Sequence, residues 1–311
     1  MRAAGVTEFG GPEALHIVDV EPEPLGPGQV RLRVEAAAVS PTDTHARSGA
    51  YAERDPVKTP PWVPGMDVAG VVTELGDGVD HLAVGDLAMG VVVPFGPYGG
   101  YREDKVLSGN SVVRAPAGTS AVEASTLPMN GLTARFSLDL MGLRPGQVLA
   151  VTGAAGAYGG YVVQLAKADG LTVIADSSEA DEELVRGLGA DVVVRRGDDV
   201  ADRIRQHHPD GVDGLADGSV QDALVLPAVR DGGAVATVRG YRGNGERDLR
   251  FFPTMVRKVA EDRAALDRLR QQVEEGVLTL RVARTFPVEQ AAEAHRLLEA
   301  GGVRGRLVLT F

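Results

Sequence analysis

Cysteine is missing altogether from the 311 residues, which excludes disulfides and thiolate metal ligands together. Long apolar runs are missing too, and none approaches the roughly 20 residues of a membrane span. The opening stretch, MRAAGVTEFGGPEALHIV, holds no apolar core followed by a small-residue cleavage site, so the chain reads as cytoplasmic. Nor is there an excess of positive charge. Against 43 Asp and Glu stand only 32 Lys and Arg, and a net charge of -11 disfavours an extended phosphate-binding surface, so nucleic acid is not an expected partner.

The composition that remains, 44% hydrophobic and 24% charged, is that of a soluble globular protein. Its length exceeds the roughly 250 to 300 residues at which one hydrophobic core stops growing, so two domains with a cleft are expected.

From Met1 to about Gly118, short apolar runs such as QVRLRVEAAAVS, DVAGVVTEL and LAMGVVV are broken by Gly and Pro, the pattern of an antiparallel, barrel-like β domain. After Thr119 the period changes. SAVEASTLPMNGLTARFSLDLM reads as helix and QVLAVTG as a buried strand; the next helical stripe places Tyr158, Val162, Leu165 and Ala166 on one face. Strand and helix alternate from LTVIAD to GGAVATVRG, which Gly240 closes. That alternation predicts a parallel, doubly wound sheet. TMVRKVAEDRAALDRLRQQVEEG reads as a polar helix outside the sheet, and the tail from Leu280 as strand, helix and strand rejoining the first domain.

The segment VTGAAGAYGG carries Gly153, Gly156 and Gly159 directly after one predicted strand and directly before a helix. In that context small residues serve a tight turn, close approach of backbone N–H groups to a pyrophosphate, and packing of helix on strand. A ligand-free turn would also tolerate them; the repeated strand and helix alternation favours the dinucleotide.

EFGGPEALHI, GPGQVRLRVEAAAVSPTDTHARSGAY, PWVPGMDVAGVVTELGDGV, LRPGQVLAVTGAAGAYGGYVVQLAKADGLTVIA and GVRGRLVLTF occur in this order along nearly the whole chain. In them the sequence resembles the medium-chain dehydrogenase/reductase superfamily, and within it the zinc-free, zeta-crystallin-like quinone oxidoreductases. The resemblance implies an α/β protein with a GroES-like β-barrel catalytic domain over residues 1–120 and 281–311 and a Rossmann domain over 121–280. It also implies a homodimer formed through the Rossmann sheet.

Zinc enzymes of the same superfamily carry Cys where this chain has Ser40, and a His-Glu pair where it has Met66 and Asp67. Ser and Met are poor zinc ligands, so no metal is expected. Without a Lewis acid the substrate must supply its own electron sink. A quinone or an α,β-unsaturated carbonyl does so by delocalising the charge left by hydride onto a distal oxygen that hydrogen bonds can stabilise.

By resemblance the catalytic pocket takes Ser40, Asp43, His45 and Tyr51, with Asn130 and Thr133 approaching from the domain junction. Tyr51 and His45 are the expected substrate contacts. His45 is equally readable as a loop histidine and Tyr51 as a wall residue, with solvent as proton source. The family more often has Asn at position 40, Tyr at 45 and a basic residue at 130. The cofactor is expected on Thr133, Gly153, Ala154, Ala155, Gly156, Ala157, Tyr158 and Gly159, and on Asp176, Ser177, Ser178, Arg195, Arg196 and Gly240. Asp176 stands near the spacing at which an acid binds a ribose 2′-hydroxyl, which suits NADH. Arg195 and Arg196, together with the habit of zinc-free relatives, favour NADPH. His295 falls on the apolar stripe of a late helix and reads as a packed, hydrogen-bonded residue. His207 and His208 end a helix, where imidazoles complement its dipole. PFGPYGGY reads either as a lid or as a hairpin crossing.

Two other functions stay open on sequence: a nucleotide-binding protein with little turnover, in a structural or RNA-binding role, and a biosynthetic enoyl-type reductase with a private substrate.

Overall fold

A computed structural model describes residues 1–53, 59–93 and 99–311 of the chain. Among these, the strands in chain order are β1 (Arg2–Gly5), β2 (His16–Asp19), β3 (Gln29–Ala38), β4 (Asp67–Leu75), β5 (Leu87–Val91), β6 (Asp104–Ser108), β7 (Val112–Arg114), β8 (Val148–Thr152), β9 (Thr172–Ser177), β10 (Val192–Arg195), β11 (Val212–Asp217), β12 (Val229–Thr237), β13 (Arg250–Pro253), β14 (Val282–Pro287) and β15 (Arg306–Thr310).

They fall into two compact units. The first comprises Met1–Met129, Arg257–Gly276 and Leu280–Phe311; the second comprises Asn130–Val256 and Val277–Thr279. This differs from the sequence bounds chiefly at Arg257–Gly276, expected with the second domain. The helix Arg263–Glu274 in that stretch belongs to the first unit, where Glu274 accepts the backbone N–H of Ala117 at 2.8 Å.

In the first unit the sheet runs β14-β15-β3-β4-β5-β7, with β6 also paired to β3 and a separate β1-β2 ribbon. All its pairs are antiparallel except β14 with β15. The sequence explains β3. Val30, Leu32 and Val34 are buried while Arg31, Arg33 and Glu35 alternate with them, the period of a half-buried strand. Its last three residues, Ala36, Ala37 and Ala38, are wholly buried, because Thr310, Leu309 and Val308 of β15 add a strand beside them. The tail therefore completes this sheet, as the sequence pattern implied.

The second unit is built on a parallel sheet of order β10-β9-β8-β11-β12-β13. Leu149, Ala150 and Val151 of β8 are all fully buried, the continuous apolar run of a strand covered on both faces. Strand order reverses beside β8, the place where doubly wound sheets receive dinucleotides. Local details depart from expectation. QDALVLPAV is a 3-10 turn over Asp222–Ala228 that leads into β12, since Pro227 lacks the N–H an α-helix would need. Two helices share the stretch after Thr119, Ala121–Ala124 and Pro128–Met141. The second starts at Pro128, whose fixed φ suits a first turn.

Candidate active site and nucleotide loop

The glycine-rich segment occupies the turn between β8 and the helix Ala157–Ala168, with Gly156 as the residue before the first helical turn. Two glycines there are sterically required. Gly153 has φ +67, and a Cβ on Gly159 would lie 2.3 Å from the Gly153 carbonyl oxygen. Gly156, at φ -73, would meet only that same oxygen at 3.1 Å, a tight contact that a shift of a few tenths of an ångström relieves. The first N–H groups of a helix have no intrahelical partner and favour an anion. Ala157 and Tyr158 supply them here. Ala154 and Ala155 are buried in the turn. The Tyr158 hydroxyl donates to Ser137 Oγ at 2.9 Å, and Ser137 lies 3.0 Å from Thr254 Oγ1, so this ring is pinned by its hydroxyl.

Asp176, at the end of β9, is buried, and Oδ1 accepts the Ala154 N–H at 3.2 Å. Burial pushes its carboxyl above the usual range. Arg195 of β10 stands opposite Ser177 in register, and the Arg196 N–H donates to the Ser177 carbonyl at 2.8 Å. Arg195 bonds Glu179 at 3.1 Å, whereas the Arg196 side chain is exposed. Ser178 Oγ donates to Asp181 Oδ2. Gly240 has φ +88 beyond the end of β12. Thr133 and Asn130 are buried in the helix Pro128–Met141.

In the first unit, the helix Pro41–Ser48 carries Asp43 and His45, with Ser40 just ahead of it. His45 and Tyr51 are half-buried with ring centroids 5.8 Å apart. Ser40 and Asp43 were expected among the pocket residues. Both are in the interior with their oxygens engaged. Asp43 Oδ2 accepts the Ser40 N–H at 2.7 Å and the Tyr101 hydroxyl at 2.9 Å, and Oδ1 accepts the Gly65 N–H at 3.1 Å. Complete burial, opposed by these donors and reinforced by nearby Asp67, raises the Asp43 carboxyl to about 7. The spacing of Ser40 and Asp43, three residues apart ahead of a helix, is that of a capping box and is the sequence signal for this role.

Tyr101 and His295 were not expected to meet. The Tyr101 hydroxyl lies 3.2 Å from His295 Nε2, and Arg47 Nη1 lies 3.4 Å from His295 Nδ1. Since a guanidinium only donates, Nδ1 accepts, Nε2 carries the proton, and Tyr101 passes its own hydrogen to Asp43. Burial and the Arg47 charge hold the imidazole neutral, with its pKa drawn down to about 3. His295 is thus the packed, bonded residue its stripe suggested. Of PFGPYGGY, Pro94–Tyr98 lie outside the described residues, and Tyr101 is fully buried.

A small cleft beside this network is lined by Thr42, Asp43, Ala46, Gly65, Met66 and Val93 among others, and not by His45 or Tyr51. Next to it, Arg306 Nη2 donates to Ser40 Oγ at 2.8 Å and to Asp67 Oδ2 at 2.7 Å, while Asp67 Oδ1 accepts the Met129 N–H at 2.6 Å. All three side chains are buried. A guanidinium is thus paired with the acid that follows Met66.

A GroES-like unit joined to a dinucleotide-type parallel sheet defines a two-unit oxidoreductase architecture. Residues 26–171 match the family described as alcohol dehydrogenase GroES-like domain, and residues 188–309 that described as zinc-binding dehydrogenase. The quinone oxidoreductase of Rattus norvegicus is 31% identical, covering 99% of this chain and 97% of its own. A 2-haloacrylate reductase from Burkholderia sp is 30% identical over 99% of this chain and 98% of its own. An NAD-dependent alcohol dehydrogenase superposes with a TM-score of 0.88 at 30% identity, covering 100% of both chains. A mycobacterial protein complexed with NADPH superposes with a TM-score of 0.86 at 26% identity, again over 100% of both. The chain belongs to the medium-chain dehydrogenase/reductase superfamily and is an oxidoreductase whose relatives include the quinone oxidoreductases. Its loop suits a nicotinamide cofactor. Ser40, Met66 and Asp67 would offer zinc a poor donor set, a hydroxyl and a carboxylate already bound to Arg306 beside a thioether. Among the described residues, no helix is long and apolar enough to cross a membrane.

Proposed function

We propose that this oxidoreductase works without zinc and transfers a hydride from NADPH to a quinone or an α,β-unsaturated carbonyl. The carrying observation is the Arg306 guanidinium bonded to both Ser40 and Asp67, which leaves those residues nothing to offer a Lewis acid. Reduced nicotinamide, when bound, supplies the hydride. The protein's part is to hold the pyrophosphate on the Ala157 and Tyr158 N–H groups, and to offer the Tyr51 hydroxyl and the His45 imidazole to the acceptor's oxygen. Asn130 is assigned to the catalytic set and Thr133 to the cofactor, both by resemblance. Proton delivery to the resulting anion falls to His45 or to water. NADPH is favoured because Asp176 is occupied beneath the loop while Arg196 is exposed beside Ser177. A cytoplasmic homodimer is proposed as well, supported by family habit and by β13 at the sheet's edge.

The test is to mix the purified protein with NADPH or NADH and a panel of quinones and enones, and to follow loss of reduced-nicotinamide absorbance. Turnover of conjugated acceptors, unaffected by chelators, is expected. Binding without turnover across the panel would instead favour a non-catalytic role. Arg196→Glu should raise KM for NADPH and leave that for NADH nearly unchanged, and equal effects on both would remove Arg196 from the 2′-phosphate site.

A further inference from the structure

The two strands that flank β8 each end in a buried carboxylate, and both are spent on holding loops. From β11, Asp217 accepts the Thr152 hydroxyl at 2.7 Å and the Asp222 N–H at 2.8 Å. From β9, Asp176 accepts the Ala154 N–H, and the nearby Gly153 N–H also favours its ionised form. On the other side of the turn, a Cβ on Gly153 would come within 2.9 Å of the Gly218 carbonyl carbon and 3.0 Å of the Ser219 nitrogen. The turn is therefore wedged between the backbone that follows β11 and the carboxylate of β9.

A carboxylate bonded to the turn, with only 4% of its residue surface exposed, presents little to a ligand. We infer that Asp176 is a positioning residue of the nucleotide loop: its carboxylate fixes the Gly153–Ala154 turn from beneath and holds no ribose hydroxyl, so it serves NADH and NADPH alike. This rests on the reading of the turn as a dinucleotide site. Choice between the two cofactors then passes to groups beyond it, Ser177, Ser178 and Arg196.

The experiment measures dissociation constants of the full chain for NADH and NADPH, in Asp176→Ala and Asp176→Asn, together with amide hydrogen exchange across Gly153–Tyr158 without cofactor. Losing charge-assisted bonds to the turn should weaken both dinucleotides by about tenfold in the alanine variant and speed exchange at Gly153 and Ala154. Asparagine keeps an acceptor and should restore most of both. The ratio of the two constants should stay as in the unmodified protein. Selective loss of NADH would overturn the inference and return Asp176 to the ribose, and unchanged affinity with unchanged exchange would overturn it equally. If the alanine variant does not fold, the ratio in Asp176→Asn decides alone, since an amide in place of a ribose-binding carboxylate would still cost NADH selectively. An unmodified protein that binds neither dinucleotide would overturn the nucleotide reading first and this role with it. Faster loop exchange in the variant would remain visible in that case, so the two failures can be told apart.

Discussion

Asp43 offers a pH experiment whose sign follows from its surroundings. Three donors reward its ionised form, yet complete burial and the neighbouring Asp67 outweigh them and bring the carboxyl to about 7, from 3.8 in the unfolded chain. Between those values the folded protein binds a proton that the unfolded chain has released. Asp43's contribution to stability is therefore fully present below about pH 4 and is lost as pH rises through 7. From about pH 5 to pH 8 the loss is about 2 to 3 kcal/mol. Asp43→Asn cannot titrate and removes this slope, while its amide nitrogen, set against a backbone N–H, costs about 1 to 3 kcal/mol at every pH. Urea denaturation of both proteins in steps across that range isolates the effect, because other titrating groups such as His295 act on both. The expected result is that the unmodified protein's advantage over Asp43→Asn shrinks steadily as pH rises. Two parallel stability curves would show that the three donors keep Asp43 ionised throughout, and would refute the balance argued here.

Gly159→Ala should lower the melting temperature and abolish dinucleotide binding, since its Cβ would sit 2.3 Å from a backbone oxygen, whereas Gly156→Ala, whose Cβ would lie 3.1 Å from that oxygen and need only a small shift, should keep the fold; thermal melts with a cofactor titration compare them. Arg306→Ala should cost about 3 to 5 kcal/mol by leaving Asp67 buried and unpaired, read by urea denaturation. A loss below about 1 kcal/mol would mean that the pair is not the anchor of this site.

The parts of the fold set by backbone demand were legible in the sequence. Gly153 and Gly159 had to be small, and the alternation in β3 and the unbroken apolar run of β8 declared a half-buried and a fully buried strand. What stayed hidden was the direction in which a polar side chain turns. Asp43 and Asp176 carry the right chemistry at the right spacing for ligand contact, yet both point into backbone N–H groups, because a buried N–H left without an acceptor costs more than a missing surface contact. Only the capping-box spacing of Ser40 and Asp43 hinted at this. The meeting of Tyr101 with His295, 194 residues apart, and of Asp67 with Arg306, 239 apart, left no local trace.

The placement of Arg306 bears on how the protein is made. Synthesis delivers β3 and β4 early, and with them the buried carboxylates of Asp43 and Asp67. The guanidinium that neutralises Asp67 and the strand that covers Ala36 to Ala38 follow only after the whole parallel sheet, in β15. Until then Asp67 lacks its guanidinium partner and β3 lacks the strand beside Ala36 to Ala38. The sheet of the first unit is completed only when β15 has been made, whereas the strands of the parallel sheet precede it.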